Sequence, residues 1–270
     1  MNVDLAVAAL TLAGVAAVRS TWSPCGLSML ATITPLAERG RGHRYRSTAT
    51  WFVLGSVLGG ASLGVVMALM AAGVGALVAP GTVLTALAVV AGAVTLAADA
   101  RIGGFRLPVH HRQVNERWLD QFRPWVYGAG FGWQIGSGLA TYIKTCAVYL
   151  MIALAALSGS PYVAILVGIV FGLVRGLAVF LGRHITTPVS LADFHRRFMA
   201  ADRYALAAVV LCEAGVTLAL SVAVSPWLGA VVAGVLSLTV IASSLRRRRL
   251  LAPRTTATVT TPLVKASNET

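Results

Sequence analysis

The feature that most constrains this chain is a succession of long stretches in which almost every residue is apolar. Residues 83–98 and 204–224 are two such stretches. About 20 apolar residues of helix cross the hydrocarbon core of a bilayer, where only helices and closed barrels satisfy the backbone. The stretches show no alternation of polar and apolar residues, which favours helices over barrel strands. The sequence therefore predicts an all-α integral membrane protein.

Composition supports this prediction, because only 11% of the 270 residues are charged and 57% are hydrophobic. A soluble domain carries about 25% charged residues, so these few charges cannot cover a surface in water. The apolar stretches predict seven transmembrane helices, at about residues 3–36, 47–75, 83–100, 126–155, 162–182, 203–224 and 227–245.

The positive charges are confined to alternate connections between the predicted spans. Nineteen of the 22 Lys and Arg residues fall in residues 37–46, 101–124, 183–203 and the tail, and the other connections carry no charge. This is the positive-inside pattern of a bacterial-type cytoplasmic (inner) membrane. It predicts an N-terminus outside, a cytoplasmic C-terminus and contact with anionic lipid. The net charge of +13 therefore indicates the lipid bilayer as partner and no nucleic acid.

The chain is predicted to form one polytopic membrane domain, residues 1–245, followed by a basic and then disordered cytoplasmic tail, residues 246–270. Two glycine pairs lie 113 residues apart, and Cys25 and Cys146 lie 121 residues apart. The spacing predicts an inverted repeat of three plus three helices, about 3–100 and about 126–224, with one extra helix at about 227–245. Close helix packing alone would also explain the glycines, which are Gly55, Gly59, Gly168 and Gly172.

The first span is too long for one straight helix and contains a polar segment, residues 19–26. About 34 residues of helix would reach about 51 Å, whereas the hydrocarbon core is about 30 Å thick. Pro24 removes a backbone hydrogen bond and breaks a helix. The sequence predicts two half-helices that meet near Pro24.

Two of the three cysteines have surroundings that favour a reactive thiolate. Cys25 follows Pro24 and would begin a new helix, whose N-terminus stabilises negative charge. Cys146 lies two residues after Lys144, whose ammonium also favours a thiolate. The glycine-rich region before it predicts a distorted helix, or one whose backbone is closely approached. Cys212 is interpreted as a small apolar residue of a membrane helix.

Three cations lie outside the basic connections, namely Arg19, Lys144 and Arg175. A charge at the bilayer centre costs at least about 2.5–3.5 kcal/mol, so such residues usually face a bundle interior and a partner. Glu213 is the acid inside a predicted span, and it is expected to pair with Arg175 or Lys144. Alternatively, Arg19 or Arg175 reaches the membrane surface by snorkelling.

No metal or cofactor is predicted. The five histidines lie in or near cytoplasmic connections without ligands at metal-binding spacing. Nucleotide-binding and hydrolase motifs are also missing from the sequence.

The segment Ser23-Pro24-Cys25-Gly26-Leu27, together with the glycine-rich residues 130–139 before Cys146, resembles the CcdA/DsbD family of transmembrane thiol–disulfide electron carriers. Proline usual in that family is replaced by Ser28 and Thr145. The resemblance implies a reversible disulfide between Cys25 and Cys146 and an activity like that of a thiol–disulfide oxidoreductase. It also implies a relay from a cytoplasmic thioredoxin-like donor to extracytoplasmic proteins, as in cytochrome c biogenesis.

Two other functions fit the sequence. A transporter or exporter of a small solute would use the broken helix and the three intramembrane cations, which favour an anionic substrate. A membrane scaffold without chemistry would need neither the cysteines nor the cations.

Overall fold

The computed structural model describes residues 2–77, 80–107, 122–138 and 142–251, with side chains up to residue 238. Within these ranges the chain is helical and contains no β-strand. Two short 3₁₀ segments, Ile102–Gly104 and Ala178–Gly182, accompany the α-helices. The α-helices are α1 (Val3–Ser20), α2 (Pro24–Thr32), α3 (Pro35–Gly40), α4 (Tyr45–Ala76), α5 (Gly81–Asp99), α6 (Pro124–Ser137), α7 (Ala147–Leu157), α8 (Pro161–Leu177), α9 (Pro188–Ala200), α10 (Asp202–Val224) and α11 (Pro226–Leu251).

Five helical segments of the described chain are long and apolar enough to cross a membrane: Val3–Ser20, Tyr45–Ala76, Gly81–Asp99, Pro161–Gly182 and Pro188–Val224. Two shorter apolar helices, Ala147–Leu157 and Pro226–Leu238, accompany them. The expected all-α, multi-pass membrane protein is thereby supported, but seven crossings are not confirmed. The predicted tail beyond residue 251 lies outside the described residues.

The predicted break in the first span is present between α1 and α2. Helix α1 ends at Ser20, and α2 begins at Pro24, which occupies a first-turn position where its missing N–H costs nothing. The Ser23 side chain caps the new helix by accepting a hydrogen bond from the Gly26 N–H at 3.2 Å. The span therefore consists of two helices that meet at Thr21–Ser23.

The fourth span was predicted as one distorted helix over 126–155, and the structure divides it into α6 and α7. Helix α6 ends at Gly138, whose φ of +67° is the left-handed conformation that commonly terminates helices. Residues 142–146 are not helical, and α7 begins at Ala147. The spans that contain Cys25 and Cys146 are thus each interrupted just before the cysteine.

Helix α4 packs directly against both α6 and α8. A Cβ atom on Gly55 would overlap the Ala129 backbone of α6, and one on Gly60 would overlap the backbones of Gly168 and Gly172 in α8. Small residues allow membrane helices to approach this closely. Close packing therefore explains the four repeated glycines, and the inverted repeat stays a prediction.

The described part of the chain divides into two units, one up to residue 233 and one that begins at residue 234. The first contains an apolar core between α1, α4, α5, α7, α8 and α10, and a smaller core around Met29, Ile33 and Phe52. Large apolar side chains also cover its outside, such as Leu69 and Leu211, each 71% exposed. Such an apolar exterior is suited to lipid rather than water.

Candidate functional site

A polar cavity of about 430 Å³ lies where α1 and α5 end and where α7 and α10 begin. Six of the residues that line the cavity carry a charged group or a thiol. They are Arg19, Asp99, Arg101, Arg106, Lys144 and Cys146.

Arg19 and Lys144, two of the cations expected inside the protein, are brought together at this cavity by Asp202. The Arg19 Nη1 atom lies 2.5 Å from Asp202 Oδ1, and the Lys144 Nζ atom lies 3.9 Å from the same oxygen. The Arg19 residue is only 3% exposed, which excludes snorkelling to a water-exposed position. Asp202 was missed in the sequence because it precedes the predicted span at 203–224 and was assigned to a cytoplasmic connection.

Cys146 lies at the start of α7 and is held there by Asp99, the last residue of α5. The Cys146 backbone N–H donates to the two Asp99 carboxylate oxygens at 2.9 and 3.0 Å. The Thr145 hydroxyl donates to Asp99 Oδ2 as well. Asp99 thus supplies from another helix the acceptor that a capping side chain usually provides. It was missed because it was treated as the end of a predicted span.

Glu213 does not form the predicted ion pair with Arg175 or Lys144. It is fully buried in α10, and neither carboxylate oxygen has a hydrogen-bond partner among the described residues. Helix α10 packs on α5, so Glu213 lies close to Thr95, Asp99 and Cys146. The Thr95 hydroxyl is directed to backbone carbonyls of its own helix.

Arg175 is buried in α8 and interacts with the half-helix α6. Its Nη1 atom donates to the Ile135 carbonyl at 2.6 Å, close to the end of α6. Its side chain is 3% exposed and also lies over the Phe171 ring. Snorkelling is therefore excluded for Arg175, and its partner is a helix end instead of the predicted Glu213.

Cys25 is buried in the first turn of α2, directly after Pro24, as the sequence predicted. Its thiol lies within electrostatic range of the Arg175 guanidinium. It does not contribute to the polar cavity, whereas Cys146 does. No disulfide bond joins the three cysteines, all of which lie in the described part of the chain.

The chemistry available at the two thiols differs. Each begins a helix, and a helix N-terminus favours a thiolate. A cation, Arg175, lies near Cys25, whereas two carboxylates, Asp99 and Glu213, lie near Cys146. Lys144 lies 3.9 Å from Asp202, and the Asp99 carboxylate lies directly beside Cys146, so the expected support of a Cys146 thiolate by Lys144 is opposed. No group of three or more His, Cys, Asp or Glu residues suited to a metal occurs in the described part of the chain.

The comparisons with known proteins give one consistent set of relatives. Methylamine utilization protein MauF of Methylophilus methylotrophus is 32% identical over 192 residues, which cover 66% of this chain and 64% of that protein. MauF of Methylobacillus flagellatus is 29% identical over 205 residues, covering 70% and 69%, and MauF of Paracoccus denitrificans is 34% identical over 166 residues, covering 59% and 58%.

The chain therefore spans a little less than two thirds of the first of these relatives. No family model matches the chain, and no solved structure matches it. The resemblance to CcdA/DsbD carriers is not confirmed by these comparisons. The chain is a multi-pass helical membrane protein similar, at about 30% identity, to methylamine utilization proteins named MauF.

Proposed function

We propose that this chain is an inner-membrane protein that serves methylamine utilization by thiol–disulfide exchange at Cys25 and Cys146. The similarity to MauF proteins supports the process. The chemistry is supported by the position of Cys25 and Cys146 at helix starts and by the resemblance of their surrounding segments to CcdA/DsbD carriers.

The observation that carries the proposal is the common position of the two thiols in the fold. Each follows an interruption of an apolar span and lies at the start of the next helix, Cys25 in α2 and Cys146 before α7. Broken helices are where membrane carriers commonly place their functional groups. The fact that both cysteines occupy this position favours a functional role over the role of small apolar residues in a membrane helix.

The proposed exchange passes two electrons through a Cys25–Cys146 disulfide. A thiolate of a cytoplasmic thioredoxin-like dithiol attacks one sulfur, forms a mixed disulfide and releases the other cysteine as a thiolate. The donor's second thiol then displaces the first cysteine, so the donor leaves as a disulfide and Cys25 and Cys146 are reduced. Attack of one of these thiolates on an acceptor disulfide outside the membrane repeats the two steps and restores the Cys25–Cys146 disulfide.

The surrounding residues have positioning roles in this proposal. Pro24 breaks the helix of the first span, so Cys25 lies at the start of a new helix instead of in the middle of a continuous one. Arg175 supplies positive charge near Cys25, and its hydrogen bond to Ile135 fixes that charge against α6. Arg19 and Lys144, joined by Asp202, hold the residues before Cys146 against α1 and α10.

The proposal is tested by trapping the disulfide in membranes. Wild-type protein, Cys25→Ser, Cys146→Ser and the control Cys212→Ser are oxidised with diamide, denatured and labelled with a maleimide polyethylene glycol. Wild type and Cys212→Ser are expected to lose two labelled thiols and to regain them after reduction. A wild type that keeps all its thiols, or a disulfide that persists in Cys25→Ser, contradicts the proposal.

Transport of a small anion is the second candidate, favoured by the buried cations Arg19 and Arg175 beside broken helices. It predicts that solute uptake by proteoliposomes survives the double substitution Cys25→Ala/Cys146→Ala and is lost on Lys144→Ala. The opposite pattern would favour thiol exchange.

A further inference from the structure

We infer that the polar cavity beside Cys146 is a binding site for a small anion whose carboxylate or phosphate group reaches Arg19. The inference does not depend on thiol exchange at Cys25 and Cys146. It would hold equally for a substrate, an effector or a bound lipid headgroup.

The charge of the wall is the first argument. Among the described residues, four cationic side chains line the cavity against one carboxylate, that of Asp99. Asp202 neutralises part of this charge through its contacts with Arg19 and Lys144. A positive excess remains even when Asp202 is included, and the side chains that provide it are Arg19, Arg101, Arg106 and Lys144.

A buried donor on Arg19, one of the residues that line the cavity, is the second argument. Arg19 uses Nη1 for Asp202, but its buried Nε has no hydrogen-bond partner among the described residues. A buried donor without an acceptor is unfavourable, because it has lost its hydrogen bonds to water without replacement. An oxyanion placed against the edge of this guanidinium would supply the missing acceptor, because guanidinium N–H groups match carboxylate and phosphate oxygens.

The distribution of the cations from surface to base is the third argument. Arg101 and Arg106 are exposed in the segment that follows α5, whereas Arg19 is buried. Positive charge at the mouth of a cleft attracts an anion before it reaches the site. The buried Arg19 then faces a ligand that has lost part of its water, where a charged hydrogen bond is stronger.

The size and lining indicate a small organic anion or an equivalent headgroup. A volume of about 430 Å³ lies within the range of ordinary ligand pockets. Leu107, Leu206 and Ala98 add apolar surface to the charged wall. A metabolite with one or two acidic groups and the glycerol phosphate headgroup of an anionic lipid both offer this combination.

Cys146 provides a direct reporter of occupancy, because it lines the same cavity and Cys25 does not. Alkylation of Cys146 by N-ethylmaleimide is followed by peptide mass spectrometry in Cys212→Ser protein in detergent. Inorganic phosphate or succinate is added, with sodium chloride at equal ionic strength as the reference. We expect either anion to slow alkylation of Cys146 several-fold in a saturable way, with no change at Cys25.

A second arm separates the two sources of the anionic group. The protein is placed in nanodiscs of phosphatidylglycerol or of phosphatidylcholine without added phosphate or succinate. If Cys146 is protected in phosphatidylglycerol nanodiscs but not in phosphatidylcholine nanodiscs, the ligand is a lipid headgroup. If Cys146 is protected by the soluble anions in detergent, the ligand is a metabolite.

The variant Arg101→Gln/Arg106→Gln removes two exposed cations and is expected to weaken the protection in whichever arm shows it. Arg196→Gln is the matched control, since Arg196 is an exposed arginine of α9 outside the cavity. The inference is overturned if no protection occurs in either arm, if chloride protects equally, or if the double variant behaves like Arg196→Gln.

Discussion

Asp99, the last residue of α5, holds the backbone N–H of Cys146 with both carboxylate oxygens, at 2.9 and 3.0 Å. This contact joins the end of one apolar helix to the start of another. It also places a fixed negative charge beside a cysteine that the sequence associates with redox chemistry. Asp99 is therefore the first residue to substitute in a test of this region.

Asp99→Ala is expected to lower the free energy of unfolding by about 1–3 kcal/mol, because the Cys146 N–H and the Thr145 hydroxyl both lose their acceptor. Asp99→Asn keeps one acceptor oxygen and is expected to lose less. Thermal unfolding in detergent measures the difference. Equal stability of wild type and Asp99→Ala would show that the contact does not secure the start of α7.

Asp202→Asn is expected to destabilise the protein because it leaves Arg19 buried without its counter-charge. Loss of a partner in a fully buried pair costs about 3–5 kcal/mol. The Asp202 side chain is 32% exposed, so a smaller loss of about 1–3 kcal/mol is expected after allowance for solvent screening.

Asp193→Asn is the control for this prediction, since Asp193 pairs with Arg196 and Arg197, whose side chains are 81% and 80% exposed. Exposed pairs contribute little to stability. Thermal unfolding temperatures of the two variants are compared under the same conditions. A loss in Asp193→Asn as large as that in Asp202→Asn would contradict the assignment.

Gly60→Ala is expected to destabilise the packing of α4 on α8, because the added methyl group would overlap the backbones of Gly168 and Gly172. Overpacking of this kind costs about 1–3 kcal/mol. Gly73→Ala is the control in the same helix, since a Cβ there meets no atom within 4 Å. That change is expected to be neutral or to stabilise the helix. Thermal unfolding in detergent measures the stability of both variants. Equal stability of the two would contradict the prediction.

Two fully buried glutamates are expected to respond oppositely to replacement by leucine. Glu38 accepts hydrogen bonds from Tyr127 and Thr48, so Glu38→Leu leaves these hydroxyls unsatisfied and lowers the unfolding temperature. Glu213 has no such partners among the residues that the structure describes, so Glu213→Leu is expected to leave stability unchanged or to raise it. A marked loss of stability in Glu213→Leu would show that its carboxylate has a stabilising partner.

The features that depend on local chain chemistry could be predicted from the sequence. Pro24 cannot continue a helix, so the break before Cys25 and the position of Cys25 at a helix start followed from the residue alone. The glycines before Cys146 indicated a distortion, but not that Gly138 would end α6 completely. The apolar stretches likewise predicted most long helices within a few residues of their observed bounds.

The features that depend on which helices are neighbours could not be predicted in this way. Glu213 was predicted to pair with Arg175 or Lys144, because these are cations inside predicted spans. Its helix packs on α5 instead, and this packing brings Glu213 close to Thr95. Asp99 and Asp202 were treated as charges at span ends, although each binds a residue from a distant part of the sequence. A single sequence does not show which helices are neighbours in the fold.

The backbone contact of α4 with α6 and α8 limits how this protein can change shape. With no side chains between Gly60 and Gly168 to bend or rotate, α4 cannot slide along α8 without separating from it. The two interruptions, at Thr21–Ser23 and at residues 142–146, lack the continuous helical hydrogen bonds that make a span stiff. We therefore expect the three glycine-packed helices to form a stationary frame, and the motions of a working cycle to be hinge rotations next to the two cysteines.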